Sequence, residues 1–335
     1  MLTVTLAIRN LLRNTRRTAL TAMLIGFSLS AMILVDALTL GMLDILVNSI
    51  TKNLVGEAQI HKPGFRDNLD VDLYLDNTEA ITTRLDQDPT IAGYSERVIS
   101  GGMLTSSYNV ATGLMYGLNA ADERQVTQLA EAVISGRYLT GETGEILIGN
   151  ELADLLEVTL GDRIVMTLSE ANGGELSQAL FRVSGIFHFG IKGVDKGVVF
   201  TNLTQARQVM GLNKQQSHEI ALRFVDPALA TQTDLPVFQN LNTTELETLN
   251  WLQLNKAIAS IIEMSGLSSI IVGGILFILA GLGVINSMFM SIYERIYEFG
   301  VVKALGTQPS QLASLILTEA FFIAILSCAG GMLLA

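Results

Sequence analysis

Apolar positions fall into two regimes along the chain. Residues 18–42, 266–290 and 311–335 are apolar on nearly every helical face. At about 1.5 Å per residue, runs of about 25 residues cross a hydrocarbon core of roughly 30 Å with some tilt. Three membrane spans are therefore expected. Residues 1–17 follow a different rule: Met1, Val4, Ile8, Leu11 and Leu12 recur on one helical side, and Arg9, Arg13 and Arg16 on the other. That pattern predicts an interfacial helix on the membrane surface. The apolar core of the first span is too long, and its Arg-rich lead too extended, for a cleaved signal sequence.

Between the first two spans, shorter alternating runs predict strands at 56–62, 94–100, 113–118, 145–148, 163–169, 175–187, 197–200 and 220–225. Helical periodicity predicts helices at 78–88, 122–133, 150–156 (capped by Asn150) and 203–210, and from 244 through Trp251 directly into the second span. The turn Asn172-Gly173-Gly174 joins two alternating runs and marks a hairpin. Together these elements describe a mixed α/β domain of about 200 residues, large enough for two packed subdomains.

Composition agrees with a membrane protein: 49% of the 335 residues are hydrophobic and 16% are charged, below the charged fraction of about 25% typical of soluble domains. Arg9, Arg13, Arg16 and Arg17 precede the first span with no acidic residue among them. The positive-inside rule then puts the N-terminus in the cytoplasm, residues 43–258 outside, and the loop after the second span back inside. Residues 41–258 carry 15 Lys and Arg against 27 Asp and Glu, a net of −12. Such an acidic domain is a poor partner for nucleic acid. Cys328, the only cysteine, lies within the third span, so the outer domain is expected to hold without a disulfide.

Catalytic signatures are missing. GIKGVDKG at 190–197 lacks the spacing and the Ser/Thr of a phosphate loop. His61, His188 and His218 follow no metal-ligand spacing, and each reads as an ordinary strand residue. No metal and no catalytic residue is assigned. Gly281 and Gly283 sit in a span with no strand before them, so they read as close helix packing, as do Gly273, Gly274, Gly330 and Gly331. Glu319 lies roughly 12 Å into the third span, where an unpaired carboxylate is costly. It is expected to be protonated, or bonded to a neighbour such as Asn286 or Ser287, serving as a conformational latch or as an interhelical hydrogen bond. Asp36, near the outer end of the first span, receives no role.

The segment YERIYEFGVVKALG at 293–306 interrupts two apolar runs. On a helix, Tyr293, Ile296, Tyr297, Gly300, Val301 and Ala304 share one face, while Glu294 and Glu298 are neighbours on another. Gly306 suits a left-handed helix end and Pro309 a new helix start. A compact bracket between the second and third spans is expected, either binding a cytoplasmic partner or anchoring tyrosines at the headgroups.

Several stretches resemble the permease subunits of the MacB, LolC/LolE and FtsX type of ABC transporter: LAIRNLLRNTRRT at 6–18, GEAQI at 56–60, EILIGNELADLLEVTLGDRI at 145–164, VSGIFHFGIKGVDKGVVF at 183–200 and, most specifically, YERIYEFGVVKALGTQPSQLASLILTEA at 293–320. The resemblance implies an α-helical membrane domain, with three expected spans where the family normally has four, and a large extracytoplasmic α/β domain of two subdomains. The layout is a cytoplasmic interfacial helix at 1–17, spans at 18–42, 266–290 and 311–335, a periplasmic MacB-like domain at 43–258 and a coupling-helix loop at 291–310. Within the domain, a porter-like lobe comprises about 43–135 and 226–258, and a smaller inserted lobe about 136–225.

By the same resemblance Tyr293, Glu294, Arg295, Glu298, Gly300, Lys303, Ala304 and Gly306 couple to a separate ABC ATPase subunit. ATP and magnesium belong to that partner. The resemblance also implies a dimer with a second permease copy or paralogue in the bacterial inner membrane, and an amphiphilic cargo such as a lipoprotein. Met42, Leu46, Ile261 and Met264 are candidate cargo contacts, since thioethers and aliphatics suit variable acyl chains; ordinary helix packing is their other use. The hairpin around Asn172, Gly173 and Gly174 matches the place where lipoprotein-releasing members grip a periplasmic carrier. An FtsX-like signalling subunit that activates an extracellular hydrolase is the alternative function.

Overall fold

A computed structural model describes residues 2–13 and 15–335, apart from the side chains of residues 2–4 and Arg17. Met1 and the Val4 side chain, both assigned to the interfacial face, lie outside the described residues. The chain divides into two compact units, Met1–Asp44 with Ser260–Ala335, and Ile45–Ala259.

The first unit is helical. A lead helix, Leu2–Arg13, precedes the long helices Thr15–Ile50, Lys256–Glu294 and Pro309–Leu334. Among the described residues three helices are long and apolar enough to cross a membrane. The first two overrun the expected spans, because a helix that satisfies its own backbone continues until a breaker intervenes. For the first helix the chain leaves helical geometry only at Gly56, with φ +78°.

Within this unit a Cβ on Gly331 would stand 2.8 Å from the Gly26 carbonyl oxygen, so only glycine permits that approach. Gly273 meets Met32 and Gly283 meets Leu24, as expected of packing glycines. Gly274, Gly281 and Gly330 have open space instead, which corrects their assignment to close packing. Polar bonds also join the helices: Thr21 Oγ1 donates to Ser287 Oγ at 2.8 Å, and Ser269 Oγ to Asp36 at 2.7 Å. Asp36 is thus a helix-pairing acceptor.

The second unit is α/β. Its strands are β1 Ala58–His61, β2 Ile91–Thr105, β3 Val110–Leu118, β4 Val133–Gly136, β5 Glu145–Gly149, β6 Arg163–Ser169, β7 Leu176–Phe187, β8 Val198–Asn202, β9 Glu219–Phe224 and β10 Glu247–Asn250. Among the described residues all ten join one sheet. Six of them close on themselves: β2 pairs β3, β3 pairs β8, β8 pairs β5, β5 pairs β7, β7 pairs β6, and β6 returns to β2. Ile146, Ile164, Met166, Phe181 and Val199 on these strands share one buried cluster with Leu152 and Ala206 from the helices over them. Three of the other four continue from β2 as an open antiparallel run β9–β1–β10, whose core holds Ile60, Ile220, Leu222, Phe224 and Phe238, and β4 pairs with β7.

Several expectations are corrected here. Residues 122–133 do not form one helix: Ala120–Val126 is helical, and Thr127 is extended with its hydroxyl bonded to Glu123. The helix expected over 244–251 is not formed before Trp251. Those residues contain β10, held by β1, and the second long helix starts afresh at Lys256 after the short helix Trp251–Leu254, so no continuous rod joins domain to span. The helix at 150–156 is capped by Gly149 with no side-chain bond, and Asn150 instead meets His188. β9 lies between β1 and β2, so residues 219–224 belong to the open run and not to the inserted lobe. Its residues are buried on both faces except Arg223, which removes the expected alternation.

Within the second unit, the segment Thr51–Val55 is tied to the sheet by buried charge. Residues Thr51–Val55 form a π-helical turn. Arg97, 1% exposed on β2, donates from Nη1 to the Leu54 carbonyl at 2.6 Å and to Glu219 at 2.9 Å. Its Nε and Nη2 fork onto Glu123 at 3.1 and 2.6 Å. Arg66 also pairs with Glu219 and reaches Gln59, whose amide donates to the Val55 carbonyl at 2.7 Å. Burial would push the Arg97 guanidinium down, but Glu123 and Glu219 hold it above its ordinary range.

Candidate functional site

The polar segment after the second of the long apolar helices organises one end of the helical unit. The long helix ends at Glu294, Arg295 takes a non-helical conformation with φ −112°, and a short helix, Ile296–Ala304, follows. Gly306, with φ +94°, turns the chain toward Pro309, and Gln308 with Gln311 forms a capping box. Pro309 occupies the first helical turn, where its missing N–H costs nothing.

Arg295 and Glu319 are both nearly buried. Arg295 Nη1 donates to Glu319 Oε1 at 3.0 Å and Nε to Glu298 Oε2 at 3.0 Å, while its guanidinium lies 5.1 Å above the Phe299 ring. Asn10 of the lead helix donates to the same Glu319 oxygen at 2.5 Å. Arg13 Nη2 donates to Glu298 Oε1 at 2.9 Å. One network thus runs Asn10–Glu319–Arg295–Glu298–Arg13 and ties the lead helix, the bracket and the third long helix together. It also corrects the expected partners of Glu319: neither Asn286 nor Ser287 reaches it, since Asn286 is exposed and Ser287 serves Thr21. A buried carboxylate is compensated best by a cation with further hydrogen bonds, and Arg295 with Asn10 supplies both. The Glu298 carboxyl is held below its ordinary range by the bond from Arg295 and then that from Arg13.

With these charges turned to their own neighbours, the bracket presents an apolar row. Tyr293, Tyr297 and Leu305 are 70%, 88% and 82% exposed, with Ile296 and Val301 exposed between them. Glu294, Gly300, Lys303 and Ala304 are also exposed, and nothing approaches Gly300. Elsewhere, Met42, Ile261 and Met264 present exposed side chains and Leu46 a half-buried one. The hairpin turn at Asn172–Gly174 does not project freely: the Asn172 side chain accepts from Tyr74 Oη at 2.9 Å, and its backbone N–H donates to Asp72 at 2.7 Å. Residues 10 and 13 were unmarked as partners because nothing local in the sequence brings them to positions 319 and 298. Among the described residues no group of three or more His, Cys, Asp or Glu could hold a metal ion.

Membrane helices carrying an α/β domain between the first and second, with a short bracket between the second and third, define a permease-type membrane subunit. Residues 18–234 match the MacB-like periplasmic core domain, and residues 270–335 the FtsX-like permease C-terminal region. The chain belongs to the MacB/LolC/FtsX type of ABC-transporter permease.

It is 24% identical over 252 residues to the lipoprotein-releasing system transmembrane protein LolC of Xylella fastidiosa (strain Temecula1), covering 73% of this chain and 60% of that one. To LolC of Neisseria meningitidis serogroup B it is 20% identical over 259 residues, covering 74% and 62%. The ABC transporter permease YtrF of Bacillus subtilis is 33% identical over 93 residues, 28% of this chain and 19% of that one. The chain therefore spans about 60% of the length of the LolC relatives it matches. Among solved structures, the periplasmic region of MacB from Actinobacillus actinomycetemcomitans is 15% identical, with a TM-score of 0.42 over 62% of this chain and 94% of that one. The extracellular domain of YknZ from Gram-positive bacteria is 13% identical, with a TM-score of 0.41 over 58% and 100%.

Proposed function

We propose that this chain is the permease of a mechanotransmitting ABC transporter, with residues 293–306 docked on a separate ATPase that binds ATP and magnesium. Two such permeases, identical or paralogous, serve two ATPases. Closure of the ATPases pushes the brackets, and the long helices carry the displacement to the acidic domains on the periplasmic side of the inner membrane. The cargo is a lipoprotein or similar amphiphile, as the names of the LolC relatives suggest for those proteins.

The observation that carries this reading is the apolar row Tyr293, Ile296, Tyr297, Val301 and Leu305 on a segment whose Arg295 and Glu298 are engaged internally. Exposed aromatic anchors on a rigid, charge-braced helix are what a protein interface needs. Co-expression with ABC ATPase subunits from the same genome tests the reading. Tyr297→Ala with Val301→Asp should leave membrane insertion intact and weaken ATPase co-purification by about tenfold or more. A chain that purifies without any ATPase, or variants that bind it undiminished, would overturn the proposal. ATPase binding without ATP-dependent release of lipoprotein from vesicles would instead favour the FtsX-like signalling role.

A further inference from the structure

A groove of about 640 Å³ opens on the outer domain between the β2–β3 hairpin and the two short helices Asn150–Leu156 and Lys192–Gly197. Met103, Val110 and Leu155 form its apolar wall and are 44%, 56% and 43% exposed. Lys192 and Lys196 stand on its rim. They lie four residues apart on one helix, a like-charge spacing that works against helix formation. The one acid of that helix, Asp195, gives no relief. It is buried, and its carboxylate accepts from the N–H groups of Phe189 and Gly190 at 2.8 and 3.0 Å and meets His188 at 3.1 Å. Neither lysine has a carboxylate partner among the described residues, in a region of net charge −12.

The groove does not end as a closed pocket. Across β2, Thr105 is opposite Val165 and Met103 opposite Thr167; across β6, Val165 is opposite Leu180 and Thr167 opposite Gln178. These outward positions carry no carboxylate, and Leu180 is 53% exposed. A small ligand needs a concave site that buries most of its surface, whereas an open groove running onto a sheet face that carries no carboxylate at these positions, with Arg163 and Arg182 paired next along it, fits a protein surface.

We propose that this face is a docking site for a separate protein that presents an acidic segment with aliphatic side chains. The partner's carboxylates lie against Lys192 and Lys196, and its aliphatic side chains fill the groove beside Met103, Val110 and Leu155. The surface is distinct from the inner bracket and from the Asn172–Gly174 turn, and does not depend on an ATPase.

The test is photo-cross-linking in the full chain, in the cells that naturally produce it, with benzoylphenylalanine at Val110 or Leu155 and, as a control, at Ile134. Adducts from the first two positions should be to one envelope protein, through a segment containing Asp or Glu beside Leu, Ile or Val. Lys192→Glu with Lys196→Glu should cut the yield by about tenfold, and reversing the partner's acids to lysine should restore it. Because both lysines are on the surface, the variant should keep the wild-type unfolding midpoint. Adducts only to a second copy of this chain or to phospholipid, equal adducts at Ile134, a yield insensitive to charge reversal, or no adduct would each overturn the proposal.

Discussion

Replacing Arg97 with methionine should cost this protein a large share of its outer domain's stability. Methionine fills much of the same volume but leaves behind two buried carboxylates and the Leu54 carbonyl, all of which Arg97 now satisfies. Glu219 keeps Arg66 as a partner. Among the described residues Glu123 retains only the Thr127 hydroxyl, at 2.8 Å, so the loss falls mainly there. Breaking one side of a buried ion pair costs roughly 3–5 kcal/mol, against a total of about 5–15 kcal/mol for a domain.

The single tryptophan, Trp251, is half-buried at the start of the short helix that follows β10, and its backbone N–H donates to the Glu57 carbonyl at 3.0 Å. Its emission during urea unfolding of the full chain in detergent therefore reports on this domain. Arg97→Met should lower the unfolding free energy by about 3–5 kcal/mol, and Arg97→Lys by less, since it keeps the charge without the fork. Adding Glu123→Leu to Arg97→Met should recover about 1–3 kcal/mol by removing the orphaned carboxylate. A loss under about 1 kcal/mol, or a double variant no better than the single, would show that the charge cluster does not hold this domain together.

Three further outcomes are expected. His218 accepts the Ile99 N–H on Nδ1 at 3.1 Å, with the Val71 carbonyl 3.0 Å from Nε2, and burial pushes its pKa below the ordinary 6.5. The unfolded chain then takes up the proton first, so stability is full above pH 6.5 and falls as pH drops below it; urea midpoints from pH 7.5 to 5 should show this slope, and His218→Gln should flatten it. Gly331→Val should lower the thermal stability of the full chain by forcing apart a backbone contact, an overpacking cost of about 1–3 kcal/mol, while Gly330→Val, facing open space, should not. Glu319→Ala should strip Arg295 of its buried partner and make the bond after Arg295 markedly more sensitive to trypsin; unchanged digestion would mean that the network does not hold the bracket in place.

The long apolar runs were legible because a membrane span is defined by its own composition: a helix satisfies its backbone without help, so no distant residue is required. The hairpin at Asn172–Gly174 was legible for a similar reason, since turn chemistry is local. The helix expected at 244–251 was misread because β10 owes its conformation to β1, nearly two hundred residues earlier, through pairs such as Ala58 with Asn250. The helix at 122–133 was overextended because Glu123 is drawn to Arg97 and Thr127 is bonded to Glu123, interactions that end the helix early. In the bracket, sequence periodicity marked the exposed face Tyr293, Ile296, Tyr297 and Val301, yet it could not show that Arg295 turns inward.

By itself, then, the sequence determined the elements whose energetics are local: spans, turns, the amphipathic lead and the acidic character of the outer domain. Tertiary structure alone decided which charges meet. Arg97 with Glu123 and Glu219, and Arg295 with Glu319 and Asn10, are joined across long stretches of chain, and burial makes each partner indispensable to the other. The closed six-strand ring likewise depends on β6 returning to β2, a pairing no local pattern encodes.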